Sequence, residues 1–317
     1  MNENTANEAQ YVEILREIHE NGTWKHTLQK TAQGDDLMTR GIPYASMQFD
    51  LSGDTMPLTT LRPLGTAFYM FIGELLWILS GSESVADLNA YGVHYWDDWA
   101  TEEKCGWKNL EVGHFGRTYG PQWRDFRGPD GSVDQLKRLF KLLREKPTDK
   151  RMRVTPWHPC ESDNLVVRPC HGDFYVYNDG EGRLHLNLLQ MSADMPIGIP
   201  SNIVMYAVLL KLLAMIHGFQ AGKLSHTTYD THYYSDQVEG VDLLLERDPR
   251  PYPTAVISHT LAEVVRVMVD DDIRDPLALK EFNPEGLPYL EWLKREVPLV
   301  GYNPHLSISR EKLPVAI

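Results

Sequence analysis

Apolar residues recur along this chain at two spacings, and the places where the spacing changes mark its elements. Residues 8–21 carry them at helical intervals and predict an opening helix. Residues 45–51, ASMQFDL, alternate and predict a strand with one buried face. Residues 64–79 and 202–217 are apolar almost throughout, broken by Glu74 and Lys211. They predict two buried helices, the second ended by Gly218. Both apolar stretches are too short to span a bilayer comfortably, so no membrane partner is expected. Residues 132–145 have helical spacing, with Ser132 as the expected N-cap. Strands are predicted over 151–157, 173–178 and 184–190, and the turn NDGEG at 178–182 joins the last two as a hairpin. Residues 230–247 predict a helix ending before DPRPYP, and residues 253–317 mix short strands and helices. The sum is an α+β fold, a mainly antiparallel or mixed sheet covered by helices. No repeat, low-complexity stretch or Gly/Pro/Ser-rich linker divides the chain, so one domain over 1–317 is expected.

Composition narrows the function classes. The chain has 317 residues, enough for a sizeable core, and a formal net charge of −13 with no long run of Lys and Arg. A duplex-binding surface needs clustered positive charge, so no nucleic-acid partner is expected, while a small anionic substrate remains open. Three cysteines, with no CxxC pair, argue against a disulfide framework and for a reducing cytoplasm. The start, MNENTANEAQ, lacks an apolar signal segment.

The candidate chemistry centres on RPCHGDFYVY, where Cys170 stands between Pro169 and His171. By itself Cys170 reads as a buried thiol, a metal ligand or a nucleophile. Metal binding is the weakest, because no second Cys or His follows at ligand spacing, and no metal site is expected. A nucleophile needs a thiolate, which positive charge from Arg168 would favour. Glu74 lies in FIGELLWIL; such a carboxyl is either salt-bridged or disfavoured as an anion and suited to proton transfer.

GELLWILSG (73–81), YWDDWA (95–100), TYGPQWR (118–124), LQMSADMPIGIPSN (189–202), HTTYDTHYY (226–234) and the ending LPVAI (313–317) accompany RPCHG in this order. Together they closely resemble the thymidylate synthase superfamily, which includes pyrimidine nucleotide hydroxymethylases. The resemblance runs from about residue 10 to the C-terminus, with extra residues near 100–117 and in the last quarter. It implies a sheet-on-sheet homodimer and one-carbon transfer from methylenetetrahydrofolate to carbon 5 of a pyrimidine nucleoside monophosphate, activated by Cys170 adding to carbon 6. It makes Glu74 the proton-shuttling carboxyl, puts Tyr119 near the reacting carbon, and makes His171 the histidine next to the nucleophile, with a purely structural role as its alternative. Asn202 becomes the base reader, an amide able to pair with N3–H and O4 of uracil or, flipped, with cytosine; its alternative role is an N-cap. Gln190, Ser192, His232 and Tyr234 would hold the nucleotide, with Lys150 and Arg151 reaching across the dimer to its phosphate. Asp194, also a candidate catalytic residue, and Gly198 would lie beside the folate and the base, and Trp96 and the tail around Ala316 would close over the folate.

The resemblance also has gaps. Met191 stands where the family has an arginine on the phosphate, and the region AQGDDLMTRGIP has no clear match to another phosphate arginine. Arg40, Arg153 or Arg168 are the expected replacements. Lys150 replaces one of two adjacent arginines, keeping the charge but losing the planar fork. Ser201 stands where the family has phenylalanine. These departures leave methyl and hydroxymethyl transfer both open, with methylation of dUMP expected, and a nucleotide- or RNA-binding protein without turnover as the non-enzyme alternative.

Overall fold

The computed structural model describes residues 3–31 and 34–315. Its main helices are α1 (Glu3–Asn21), α2 (Gly65–Ser80), α3 (Tyr119–Arg124), α4 (Gln135–Glu145), α5 (Gly198–His217), α6 (Val238–Leu245) and α7 (His259–Asp270). The main strands are β1 (Thr23–Lys30), β2 (Asp36–Asp50), β3 (Arg153–Val154), β4 (Asp173–Asn178), β5 (Arg183–Gln190), β6 (Ala193–Asp194) and β7 (Gln220–Tyr234). Among the described residues these form one seven-stranded sheet in the order β1-β2-β7-β5-β4-β3, with β6 also paired to β7. Pairing is antiparallel except where β7 runs parallel to β5 and β6. Parallel neighbours need a crossover, and α5 supplies it. The fold is therefore mixed α+β, as the patterning predicts.

One sheet face is apolar. Met47, Phe49, Phe174, Val176, Leu184, Leu186, Leu188 and Leu224 are all buried there, in a core that runs from Tyr11 to Leu313 and takes in α2 and α5. The residues between them, including Gln48, Tyr175, Tyr177, Asn187 and Tyr229, stay exposed or half-buried on the other face. This is the period-two alternation of a sheet covered on one side.

Several boundaries differ from the patterning. β2 reaches back to Asp36, well before ASMQFDL. The strand expected over 151–157 shrinks to Arg153–Val154, because Pro156 has no N–H to offer a ladder. Ser132 lies in a short hairpin strand, and α4 is capped instead by Asp134, whose carboxylate accepts from the Lys137 N–H at 2.9 Å. α5 begins at Gly198, so Asn202 is inside the helix and is not its cap. Residues 230–234 continue β7, where Thr231, Tyr233 and Tyr234 favour an extended backbone, and a helix starts only at Val238. At 20 residues α5 is long enough to cross a membrane, but 78% of its apolar window is buried inside the protein, so it is a core helix.

Asp134 has a second role. Its other oxygen accepts from Arg124 Nε at 2.8 Å, and the Arg124 side chain is 1% exposed. Asp134→Ala removes a cap and one partner of a buried charge, so it is expected to cost about 2–3 kcal/mol in urea denaturation. Ser132→Ala should stay within about 0.5 kcal/mol. Equal costs for the two would contradict the cap assignment.

Candidate active site

Cys170 sits in the loop between β3 and β4. Its N–H donates to Tyr119 Oη at 3.1 Å, and its carbonyl accepts from the Met191 N–H at 2.7 Å. The loop is thereby tied to α3 and to the β5–β6 turn. Gly172 permits the turn that follows, with φ +103° and space that a Cβ could not share, since it would lie 2.8 Å from Pro156 Cγ. Cys170 is half-buried; its Sγ lies 3.7 Å from the Arg168 carbonyl and also interacts with the Tyr119 hydroxyl. The Arg168 guanidinium is engaged by Asp163 at 2.8 Å and by the Ser162 carbonyl at 3.3 Å, so the expected activation by Arg168 is not built. Burial pushes the Cys170 thiol up to about 11, and the ligand-free protein carries it as a neutral thiol.

Tyr119 opens α3 in the left-handed region at φ +31°, uncommon for a side chain of this size. The next residue explains the constraint: a Cβ on Gly120 would lie 2.6 Å from the Ile78 carbonyl, so α3 packs directly on the end of α2. Tyr119 is thus held with its ring centroid 4.7 Å from that of His171. His171 Nδ1 meets Tyr206 Oη at 2.9 Å, and burial lowers its pKa to about 3, so it is a neutral imidazole at working pH. Glu74, 5% exposed on α2, accepts from Trp96 Nε1 at 2.7 Å and Tyr95 Oη at 2.6 Å. Burial raises its pKa and these two bonds pull it back. Trp96 therefore positions the carboxyl, in addition to its expected place beside the folate.

The end where base reading is expected is a buried amide chain. Gln190 Nε2 donates to the Ser192 carbonyl at 2.9 Å; a carbonyl only accepts, so the Gln190 amide cannot be inverted. Its Oε1 then accepts from Asn202 Nδ2 at 3.0 Å and from His226 Nε2 at 2.9 Å. Asn202 keeps one N–H and its own Oδ1, which the Ser201 hydroxyl approaches at 3.5 Å; these are the two groups expected to meet a pyrimidine edge.

The outer end is a cleft of about 400 Å³ lined by Ser192, His232, Tyr234, Thr39, Asp230 and Lys25 among others. His232 Nδ1 donates to the Asp230 carbonyl at 2.6 Å, and its ring meets Tyr234 edge-on at 5.1 Å. Asp194, across from His232 in the β6–β7 pair, is pushed up to about 6 by burial. Gln237 donates 3.5 Å to Asp194 Oδ2 and 2.9 Å to the Pro314 carbonyl, so the C-terminal tail docks beside the site. Gly198 opens α5, with only Asp194 Cβ at 3.9 Å and Asn202 Nδ2 at 4.0 Å near the place its side chain would occupy. Lys150 and Arg151 do not line this cleft, and Arg151 pairs with Asp149 at 2.6 Å. Ala316 lies outside the described residues. Among the described residues, no group of three or more His, Cys, Asp or Glu could hold a metal ion.

A sequence profile of the thymidylate synthase family matches residues 9–286, and so covers every group just placed except the tail. The chain belongs to the thymidylate synthase family. Membership makes it an enzyme of nucleotide metabolism, of transferase type, in a family that uses methylenetetrahydrofolate. The match stops short of LPVAI, so the tail motif in the sequence resemblance lies beyond it. Tyr95, Tyr206, His226 and Gln237 were not anticipated from sequence. Tyr95 adjoins Trp96 in YWDDWA and could have been found there. His226 likewise opens HTTYDTHYY, while Tyr206 and Gln237 are marked only by burial and by the partner each one meets.

A thiol at about 11 is roughly one part in a thousand thiolate at pH 8. Cys170 in the ligand-free protein should therefore alkylate slowly near neutral pH, more slowly than exposed Cys160, with a rate that rises up to about pH 11. Peptide mass spectrometry across pH reads this, and fast labelling of Cys170 at pH 7 would contradict it.

Proposed function

We propose that this chain transfers a one-carbon unit to carbon 5 of a pyrimidine nucleoside 5′-monophosphate through a Cys170–C6 adduct, and that the reaction is methylation of dUMP. The observation that carries the reading is the convergence of Cys170, Tyr119 and His171 through direct contacts, with Asn202 locked by Gln190. Sγ, its proton released to solvent, adds to carbon 6, and the electron pair of the C5–C6 double bond moves to carbon 5. Carbon 5 bonds the one-carbon unit and loses its proton, and the bond from that unit to the folate nitrogen breaks with its electron pair left on nitrogen. Hydride for methylation, or water for hydroxymethylation, adds to the transferred carbon, and Sγ leaves as the C5–C6 double bond re-forms. Glu74, buried and bonded to two donors, is the group for proton transfer at the base. Neutral His171 and Tyr119 hold the loop and the thiol against the ring. Asn202 and Gln190 read the base, while Ser192, His232 and Tyr234 hold the sugar and phosphate end.

The residues fit a folate. Among the described residues Asp194 accepts only long contacts, at 3.3 and 3.5 Å, and keeps acceptor capacity; Gly198 leaves room; Trp96 is half-buried and bonded to Glu74. Methylenetetrahydrofolate supplies the one-carbon unit and, for methylation, the hydride. Hydroxymethylation of dUMP, dCMP or CMP, with water in place of hydride, is the second reading. It is favoured by the Ser201 hydroxyl, half-buried beside Asn202 where the family has phenylalanine. Two copies joined by their open sheet faces would form the working unit, a single domain each, in the cytoplasm.

Tritium release from carbon 5 of labelled dUMP, UMP, dCMP and CMP, with folate, tests the chemistry. Release is expected from dUMP and should fall at least about a thousandfold in Cys170→Ser, as when a nucleophile is removed. Active Cys170→Ser protein would overturn the mechanism. Product mass and dihydrofolate absorbance then separate the readings: dihydrofolate marks methylation, and a product heavier by one oxygen without dihydrofolate marks hydroxymethylation.

Shared sites predict complementation. A mixture of Cys170→Ser and Arg151→Ala chains should recover activity, because one hybrid site is intact. A monomer by sedimentation, or no recovery, would refute the shared dimer.

A further inference from the structure

Met191 leaves the chain without the arginine that the resemblance puts on the nucleotide's phosphate, and the register of the sheet decides which cation of this chain can stand in. Across β1, β2 and β7, Lys25 is opposite Thr39 and Thr39 is opposite Tyr234. Cross-strand partners share a face, so these three side chains form one row. The neighbouring row, Trp24, Arg40 and Tyr233, faces the other way. It packs against α1: Arg40 Nε reaches the Gly22 carbonyl at 3.2 Å, its guanidinium lies 5.8 Å from the Trp24 ring, and Tyr233 stacks on His19 at 6.2 Å. Arg40 is thus one residue out of phase with the site. Arg153 is held by Asp173 through bonds of 2.9 and 2.7 Å, and Arg168 is held by Asp163. None of the three expected replacements lines the cleft. Among the described residues, Lys25 is the Lys or Arg that does, together with Ser192, His232 and Tyr234.

The same cleft carries polar atoms that lack a partner. Thr39 and His232 are each 3% exposed, and among the described residues Thr39 Oγ1 and His232 Nε2 have no hydrogen-bond partner. His232 Nδ1 donates to the Asp230 carbonyl, so Nε2 is the ring nitrogen left for a ligand. Buried polar atoms are nearly always paired, so two in one cleft mark a surface that a polar ligand completes. Lys25 Nζ is positioned there by an ion pair with Asp230. An ammonium has three donors, so this pair fixes the group and leaves two N–H for a ligand.

We propose that Lys25 binds the 5′-phosphate of the nucleotide, in the place of the arginine missing at Met191. The assignment rests on the nucleotide reading above. Asp230 shares the lysine and Lys25 is half-exposed, so its contribution is a single charge-assisted bond, about tenfold in affinity.

Calorimetry on the intact protein tests it, with dUMP, UMP, dCMP and CMP and then with the nucleoside matching whichever monophosphate binds. Lys25→Met should narrow the monophosphate-to-nucleoside affinity ratio about tenfold by weakening only the monophosphate, as loss of one bond to a charged group would. Lys25→Arg should restore the ratio, and Arg40→Met should leave it unchanged. Should Lys25→Met fail to fold, Lys25→Gln is read in the same way. A wild-type preference for the monophosphate that survives Lys25→Met overturns this assignment alone. Wild-type protein that binds none of the four monophosphates overturns both the assignment and the nucleotide reading.

Discussion

Burial of ionisable groups against apolar helices governs this site. Glu74, Cys170, His171 and Asp194 are all driven toward their neutral forms, and in each case desolvation is the largest cause. A buried charge without a close partner is costly, and the described structure provides few such partners here. Tyr95 and Trp96 donate to Glu74, Tyr119 steadies the Cys170 loop, and Tyr206 meets His171. Hydrogen bonds from neutral groups thus do most of the positioning. The consequence is a site that is held in place before a substrate enters and is weakly charged until one does.

The backbone makes that positioning possible. Tyr119 adopts its left-handed conformation because Gly120 lets α3 meet the end of α2, and the same contact sets the ring against His171. Gln190 has one permitted amide orientation because its partner is the Ser192 carbonyl, which accepts and cannot donate. From that fixed point the polarity of Asn202 and the tautomer of His226 follow. A main-chain group, which cannot rotate to suit a ligand, therefore sets how a side chain would present itself to a base.

Much of the fold was legible because its period is local. The alternation of β4 and β5 and the apolar runs of α2 and α5 predicted those elements closely, since each buries one face or all of its surface. Failures came where the decisive partner is distant or the pattern mixed. Residues 230–234 read as helical, but they extend β7 because β2 and β6 pair with them on either side. Ser132 looked like a cap because it is a capping residue type near a helical run, yet Asp134 also meets buried Arg124 and takes the role.

The sequence by itself determined the family and the candidates for its chemistry, Cys170, Glu74, Tyr119 and Asn202, because order and spacing along the chain are enough to align motifs. It also exposed the missing arginine at Met191. Only the tertiary structure decided which cations point toward the site. Arg40, Arg153 and Arg168 are all present in the chain. One is turned away by a one-residue phase in a strand, and the other two are held by aspartates. Side-chain direction in a sheet alternates with every residue, and ion pairs form across distant segments. Neither can be read until the register and the packing are known.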